Sequence, residues 1–245
     1  MNNVRTVSDT KRDFYAHHTR PINSIYRRVV DELLVEMHLL HVNVDFVYDP
    51  IYALGVVTTF DRFMQGYQPE ADRESIFRAI CQAIGSSAEQ YRQDAEWAKG
   101  TVTGKSLEEF KGLFENLEGG DQEGLRGTLG AIATRPSFKY NRPFGIGLYT
   151  LVEAVDPEVL KEAEPRNELL AFLSERLKIS ADKLQKDLDL YRSNLEKFAQ
   201  AQAVMQDILA ADRKKREARE KAVQAAEAVV APSSESGSAT DTPAE

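Results

Sequence analysis

The sequence predicts an all-α protein: a multi-helix globular bundle, then a long coiled-coil-like helix, then a disordered tail. Three observations carry that prediction. Apolar residues recur three or four apart in segment after segment, the spacing that lines one face of a helix. Gly, Pro and capping residues stand where such segments should begin and end. From residue 180 the spacing settles into alternating fours and threes, a heptad seam.

The first clear stripe starts at Pro21, with Ile22, Ile25, Tyr26, Val29, Leu33, Met37 and Leu40 on one face. Thr19 is the expected cap and Pro21 a tolerated first-turn residue. Arg27 with Asp31 and Arg28 with Glu32 form exposed i,i+4 pairs, worth about 0.3 kcal/mol each. Val42, Val44, Phe46 and Tyr48 then alternate with polar neighbours, the period of a short strand. No partner strand is evident, so this stretch is expected to be an extended connector. Asp49 and Pro50 open the next helix, through Leu54, Val57, Phe60 and Met64 to a close near Gly66 and Pro69. Another runs from about Ala71 through Ile76 and Ile80 to Gly85.

Two capping boxes follow, Ser86 with Glu89 and Ser106 with Glu109, in which each side chain satisfies the other residue's free amide. The first helix carries Tyr91, Ala95 and Ala98; the second carries Leu107, Phe110, Phe114 and Leu117 and should stop at Gly119 and Gly120. A further helix is expected around Leu125, Leu129 and Ile132, weakened by three glycines. RPSFKYNRPFGIGLYTLVE reads as a loop and a helix from about Pro143 to Val155, and Pro157 and Pro165 mark short helices beyond it. The seam comprises Leu184, Leu188, Tyr191, Leu195, Phe198, Met205 and Leu209, with Gln202 at the missing step. After Leu209 it turns charged and Ala-rich, and residues 231–245 have almost nothing to bury. The expected organisation is a bundle over 1–178, a long helix over 179–230 and a tail over 231–245.

With 42% hydrophobic residues in 245, the chain can bury a substantial core. A net charge of −8 argues against general affinity for nucleic-acid phosphates, which depends on clustered cations, so no nucleic-acid partner is expected. The single cysteine, Cys81, rules out an intramolecular disulfide and fits a reducing compartment. No stretch approaches the ~20 apolar residues of a membrane-spanning helix. The N-terminal MNNVRTVSDTKRDF lacks a secretory core.

GTVTGKS at 100–106 imitates a P-loop, but three residues rather than four separate Gly100 from Gly104, and no buried strand precedes it. The Ser106 box explains the same letters. His38 and His41 could share a metal, with Glu36 or Asp45 near, but a third and fourth ligand are hard to find. His17 and His18 stand beside no recognisable nucleophile motif. A helical ligand- or metal-binding protein using the His17/His18 region is the alternative kept open.

In the loop, Arg135, Phe138, Lys139, Tyr140 and Arg142 interleave rings with cations. Docking of the rings into the bundle is the default reading, a protein-binding surface the second, and stacking on RNA bases a third. Leu188, Tyr191, Leu195 and Phe198 could pack back on the bundle or zip with another helix. Arg213, Lys214, Lys215 and Arg216 open a stretch of six cations and two carboxylates, RKKREAREK. A solvated face is the plain reading, and weak attraction to an anionic membrane surface the other.

The stretches TVSDTKRDFYAHHTRPINSIYRRVVDELLVEMHLL, FVYDPIYALGVVTTFDRFMQGY and FKYNRPFGIGLYTLVE resemble the thylakoid formation proteins, also called photosystem II biogenesis factors. The similarity runs into the seam and leaves out the tail. The resemblance implies a non-enzymatic, all-helical auxiliary protein without a cofactor or catalytic residues. It implies a role in thylakoid organisation and photosystem II assembly and repair, exercised by binding and stabilising the FtsH-type membrane AAA protease. The partners it implies are that protease, the thylakoid membrane surface and photosystem II components. With no transit peptide ahead of the motif, the expectation is a cyanobacterial member, peripheral on the cytoplasmic side of the thylakoid.

Overall fold

The computed structural model describes residues 5–119 and 123–230; the expected tail, 231–245, lies outside the described residues. All regular structure in them is helical: α1 (Val7–His17), α2 (Ser24–His41), α3 (Pro50–Phe63), α4 (Ala71–Ala83), α5 (Ala88–Val102), α6 (Leu107–Gly112), α7 (Gly124–Thr134), α8 (Arg142–Val155), α9 (Ala163–Arg176) and α10 (Ala181–Val230), with one 3₁₀ turn at Glu158–Leu160. The chain divides into two compact units, Met1–Leu195 and Glu196–Glu245. The first therefore takes in the opening turns of α10.

The first unit is organised around α3, which packs against both α8 and α5, while α1 packs on α4 and α2. Two glycines set the α3–α8 approach. A Cβ on Gly55 would run into the Pro143 carbonyl and come within 2.9 Å of the Gly147 nitrogen. One on Gly147 would strike the Ile51 carbonyl. The two backbones are therefore in direct contact, a separation no other residue type allows. Around this crossing lie the fully buried rings of Tyr52, Phe60, Phe77, Tyr91 and Phe144. Cys81 of α4 is wholly buried beside them, and burial pushes its thiol up to about 12.

The helix starts are chemically legible. Asp49 accepts hydrogen bonds from the Ile51 and Tyr52 amides, with Pro50 in the first turn of α3. Asn141 does the same for α8 through the Phe144 amide at 2.9 Å, and Ser106 with Glu109 forms the expected capping box. Asp49 is buried, which pushes its carboxyl up to about 6 even though the two amides and Arg135 pull it down.

Four boundaries differ from expectation. Residues 7–17, for which the sequence predicts no element, form α1, held by a Thr6–Asp9 capping box. It buries just Thr10 and Phe14, too few apolar positions to show a helical period. The cap of α2 is Asn23, not Thr19, because residues 18–23 lie outside any helix and the Asn23 side chain accepts from the Ile25 amide. Ser87, bonded to the Gln90 amide, caps α5 in place of Ser86, since Ser86 Oγ turns 3.4 Å from His41 Nε2. And α6 closes at Gly112 rather than running to Leu117: i,i+3 bonds from Leu113 and Phe114 tighten the chain, and Asn116 sits at φ 54°. Phe114 and Leu117 are buried all the same.

Candidate functional site

The ring-and-cation loop is folded onto the bundle by its own chemistry. Phe138 meets Phe144 edge-on at 5.1 Å and Tyr140 meets it at 6.5 Å. Gly145 makes room for the Tyr140 hydroxyl, where a Cβ would collide with it. Lys183 Nζ lies 5.3 Å over the Tyr140 ring. Burial, with Asp187 beside it, pushes the Tyr140 phenol up, so this ring stays neutral.

The cations of the loop are largely paired. Arg142 grips Glu36 of α2 with two bonds, Nε at 3.1 Å and Nη2 at 2.6 Å, the planar fork that favours Arg here. Lys139 pairs with Asp45, which brings the loop against the connector 42–48. Glu36 and Asp45, considered above as metal ligands, are instead the loop's anchors. Arg135 is half-buried and draws the Asp49 carboxyl down. The exposed part of this face is the Lys139 head, Pro136, Ser137 and the neighbouring connector.

The connector is a compact turn without strand pairing. Its alternation does not sort side chains inward and outward: Phe46 and Tyr48 turn in, while Val42 and Val44 of the same set face out. Phe46 packs on Tyr52 at 4.9 Å, and Tyr48 on Tyr91 at 5.1 Å, with the Tyr48 hydroxyl donating to Asp94 at 2.7 Å. Val42, Val44 and Val47 face out.

The heptad seam is split. Leu184, Leu188 and Tyr191 are buried in the first unit, where Tyr191 stacks edge-on with Phe63 at 6.0 Å. Packing on the bundle, one of the two readings, thus holds for this part, and Leu188 and Tyr191 present no surface to a partner. Leu195 is half-buried. In the second unit Phe198, Gln202 and Met205 are half-buried, while Val204 and Ile208 are 58% and 57% exposed. The Leu209 side chain lies outside the described residues. Arg213, Lys214, Lys215 and Arg216 are all exposed, with Arg213 Nε 3.0 Å from Glu217.

The histidines are tied to separate partners. His38 Nδ1 lies 2.9 Å from Thr10 Oγ1. His41 Nδ1 donates to the Met37 carbonyl at 2.8 Å, which leaves Nε2 to accept from Ser86. His18 is buried with Nδ1 3.1 Å from Ser75 Oγ, and its neighbour Arg20 pairs with Asp72. Desolvation is the leading cause that lowers the pKa of His18, His38 and His41. A cleft of about 340 Å³ runs between His17, Arg20 and Ser75. Among the described residues no three His, Cys, Asp or Glu side chains gather as a metal site, and no helix is long and apolar enough to cross a membrane.

Three comparisons with known proteins bear on this arrangement. The profile of the family described as thylakoid formation protein matches residues 6–220. A protein named Thf1 from Crocosphaera subtropica is 62% identical over 216 residues, covering 88% of each chain. A Thf1 protein from Nostoc punctiforme is 57% identical over 235 residues, 96% of this chain and 99% of that one. The solved structure of Psb29 superposes with a TM-score of 0.77 at 44% identity, over 87% of this chain and 99% of its own.

Proposed function

From the premise that the chain belongs to the thylakoid formation protein family, we propose that it is a non-enzymatic auxiliary factor for thylakoid biogenesis and photosystem II assembly and repair. It acts by binding and stabilising the FtsH-type AAA protease of the thylakoid, as a peripheral protein on the cytoplasmic side. Family membership over nearly the whole chain carries the biogenesis role. The docking role is supported by the make-up of the second unit, where exposed Val204 and Ile208 precede an exposed run of cations. Apolar anchors give an interface its affinity, and cations near an anionic leaflet favour the membrane side.

The structure also decides how to test this. A truncation from residue 180 would remove Leu184, Leu188 and Tyr191 from the core, so binding lost with it would report unfolding. Ending the chain after Leu195 spares those residues. The chain ended there should keep its thermal transition and lose co-purification of the protease from photosynthetic membranes. Full retention of the protease would move the docking surface to the bundle, with Arg135, Lys139 and the exposed loop as the next variants to examine.

A further inference from the structure

The α1 helix is held to its neighbours by few groups, and two of them are histidine–hydroxyl pairs. Its own residues bury only Thr10 and Phe14, and His18, which ends the helix, is 2% exposed. Thr10 Oγ1 lies 2.9 Å from Nδ1 of His38 on α2, itself 4% exposed. Nδ1 of His18 lies 3.1 Å from Oγ of Ser75 on α4. Each of the two helices on which α1 packs is thus reached through one imidazole. The buried Phe14 ring lies 6.2 Å from that of His18, and Lys11 adds a partly exposed ion pair to Asp31 at 3.5 Å, a weak tether. A helix of 11 residues with so little burial has little stability of its own and belongs to the part of a fold that opens locally.

Both pairs are built for a neutral imidazole. Nε2 of His18 is buried without a hydrogen-bond partner among the described residues. An imidazolium carries N–H on both nitrogens, so protonation there would leave one donor out of water with no acceptor. The charges that face His18 are Arg20 and, from α4, Asp72, which are already paired with each other. Those that face His38 are Arg5 and Asp9 at the α1 side, paired in turn with Asp13 and Arg12, and His41 one turn on in α2. No carboxylate near either ring is therefore free to receive a new cation, and desolvation leads in lowering both pKa values.

We propose that α1 is a proton-operated latch, closed on α2 and α4 while His18 and His38 are neutral and released as they take up protons. Imidazoles set free in water bind protons at the ordinary 6.5, those of the closed helix only at lower pH. Stability of the closed form is thus complete well above 6.5 and is lost as pH falls through that value. A histidine that takes its proton only in the open form raises the opening equilibrium up to about tenfold between about pH 7.5 and 5.5, and two together up to about a hundredfold. His41 is not released with α1, since its nitrogens meet Met37 and Ser86. Asp49 titrates in the same window at about 6 but caps α3, so the latch is read from local exchange and not from a global melt.

The test is amide exchange of the full chain, followed by mass spectrometry between about pH 7.5 and 5.5, with each rate divided by the intrinsic chemical rate at that pH. Protection over residues 7–17 should fall up to about a hundredfold across this range and stay below that of residues 143–152 throughout. H18N/H38N puts a non-titrating amide where each Nδ1 makes its bond, and should hold the protection of α1 constant within about twofold. In the wild type, the imidazole NMR signals of His18 and His38 should titrate with midpoints below the ordinary 6.5. The latch is overturned by α1 protection that does not change with pH, or by α1 amides that exchange only as fast as those of residues 143–152, which would mean that α1 has no opening of its own. A fall that persists undiminished in H18N/H38N, or midpoints at or above 6.5 for both rings, would overturn it as well. Should the double variant lose its thermal transition, the wild-type exchange profile and midpoints decide the matter.

Discussion

Ten consecutive residues of α8, 143–152, are buried, whereas no described side chain of α10 beyond Leu195 is. The two helices obtain their helicity by opposite means. The α8 sequence RPFGIGLYTLVEAV has two glycines and a proline in its first turns, poor local material that tertiary packing overrides. The distal part of α10 is rich in Ala, Glu, Gln, Lys and Arg, so local propensity favours the helix without burial. A helix of the first kind tolerates bad propensity and no added volume; a helix of the second kind does the reverse.

The sharpest way to break that contrast is to make the same exchange in both helices with opposite sign. Gly147→Ala improves propensity by about 1 kcal/mol, yet its methyl would strike the Ile51 carbonyl. We expect a net loss of about 4 kcal/mol in urea denaturation; a gain would mean the α3–α8 approach is looser than described. Next, Leu188→Ala should cost about 3 kcal/mol, because Leu188 is 2% exposed. Val204→Ala and Ile208→Ala should stay within about 0.5 kcal/mol. Equal effects at the three positions would erase the contrast between the buried and the exposed stretch of α10.

Asp49 sharpens the buried side of the comparison. Its folded-state pKa of about 6 stands above the ordinary 3.8, so the folded chain takes up a proton first as pH falls. Above about pH 6 the carboxylate is ionised in both states and its burial is unfavourable. Stability from this group rises as pH falls from about 6 toward 4. Asp49→Asn keeps an amide-accepting cap and should raise stability on the order of 2 kcal/mol at pH 8. The difference should shrink toward zero by pH 4 in paired thermal melts. Smallest is Ala211→Gly in the distal helix, about 1 kcal/mol of local helicity. It should appear as faster amide exchange around residue 211 with an unmoved global urea midpoint.

Legibility followed the range of the physics. The Asp49–Pro50 start and the Ser106 box are local patterns, and each stands where the sequence places it; the stripe of α2 holds at Tyr26, Leu33 and Met37, while Ile22 precedes the helix and Val30 and Leu34 join the buried face. The α1 helix leaves little trace in the sequence because its box ends in Asp9 rather than Glu and only two of its residues are buried. The glycines of α3 and α8 read as weakness until the facing carbonyls of Pro143 and Ile51 are known. The same holds for the ring-and-cation loop. Its residues were visible, but Glu36 and Asp45, which hold Arg142 and Lys139, lie about a hundred positions away. Periodicity likewise runs on through the seam to Leu209, with Gln202 at one step, since nothing in the spacing says where a helix leaves its bundle.

Cys81 gives the buried core a kinetic voice. Only a thiolate reacts with an alkylating reagent, and this thiol is fully enclosed with its ionisation pushed up to about 12. Modification at neutral pH therefore proceeds through molecules in which α4 has come away from its neighbours. Because the chain has one cysteine, a single adduct mass reports that event alone. When labelling is slow against reclosing, its rate measures the equilibrium population of the opened form. The same measurement in the presence of vesicles or a partner would show whether engagement at the surface tightens the core beneath it.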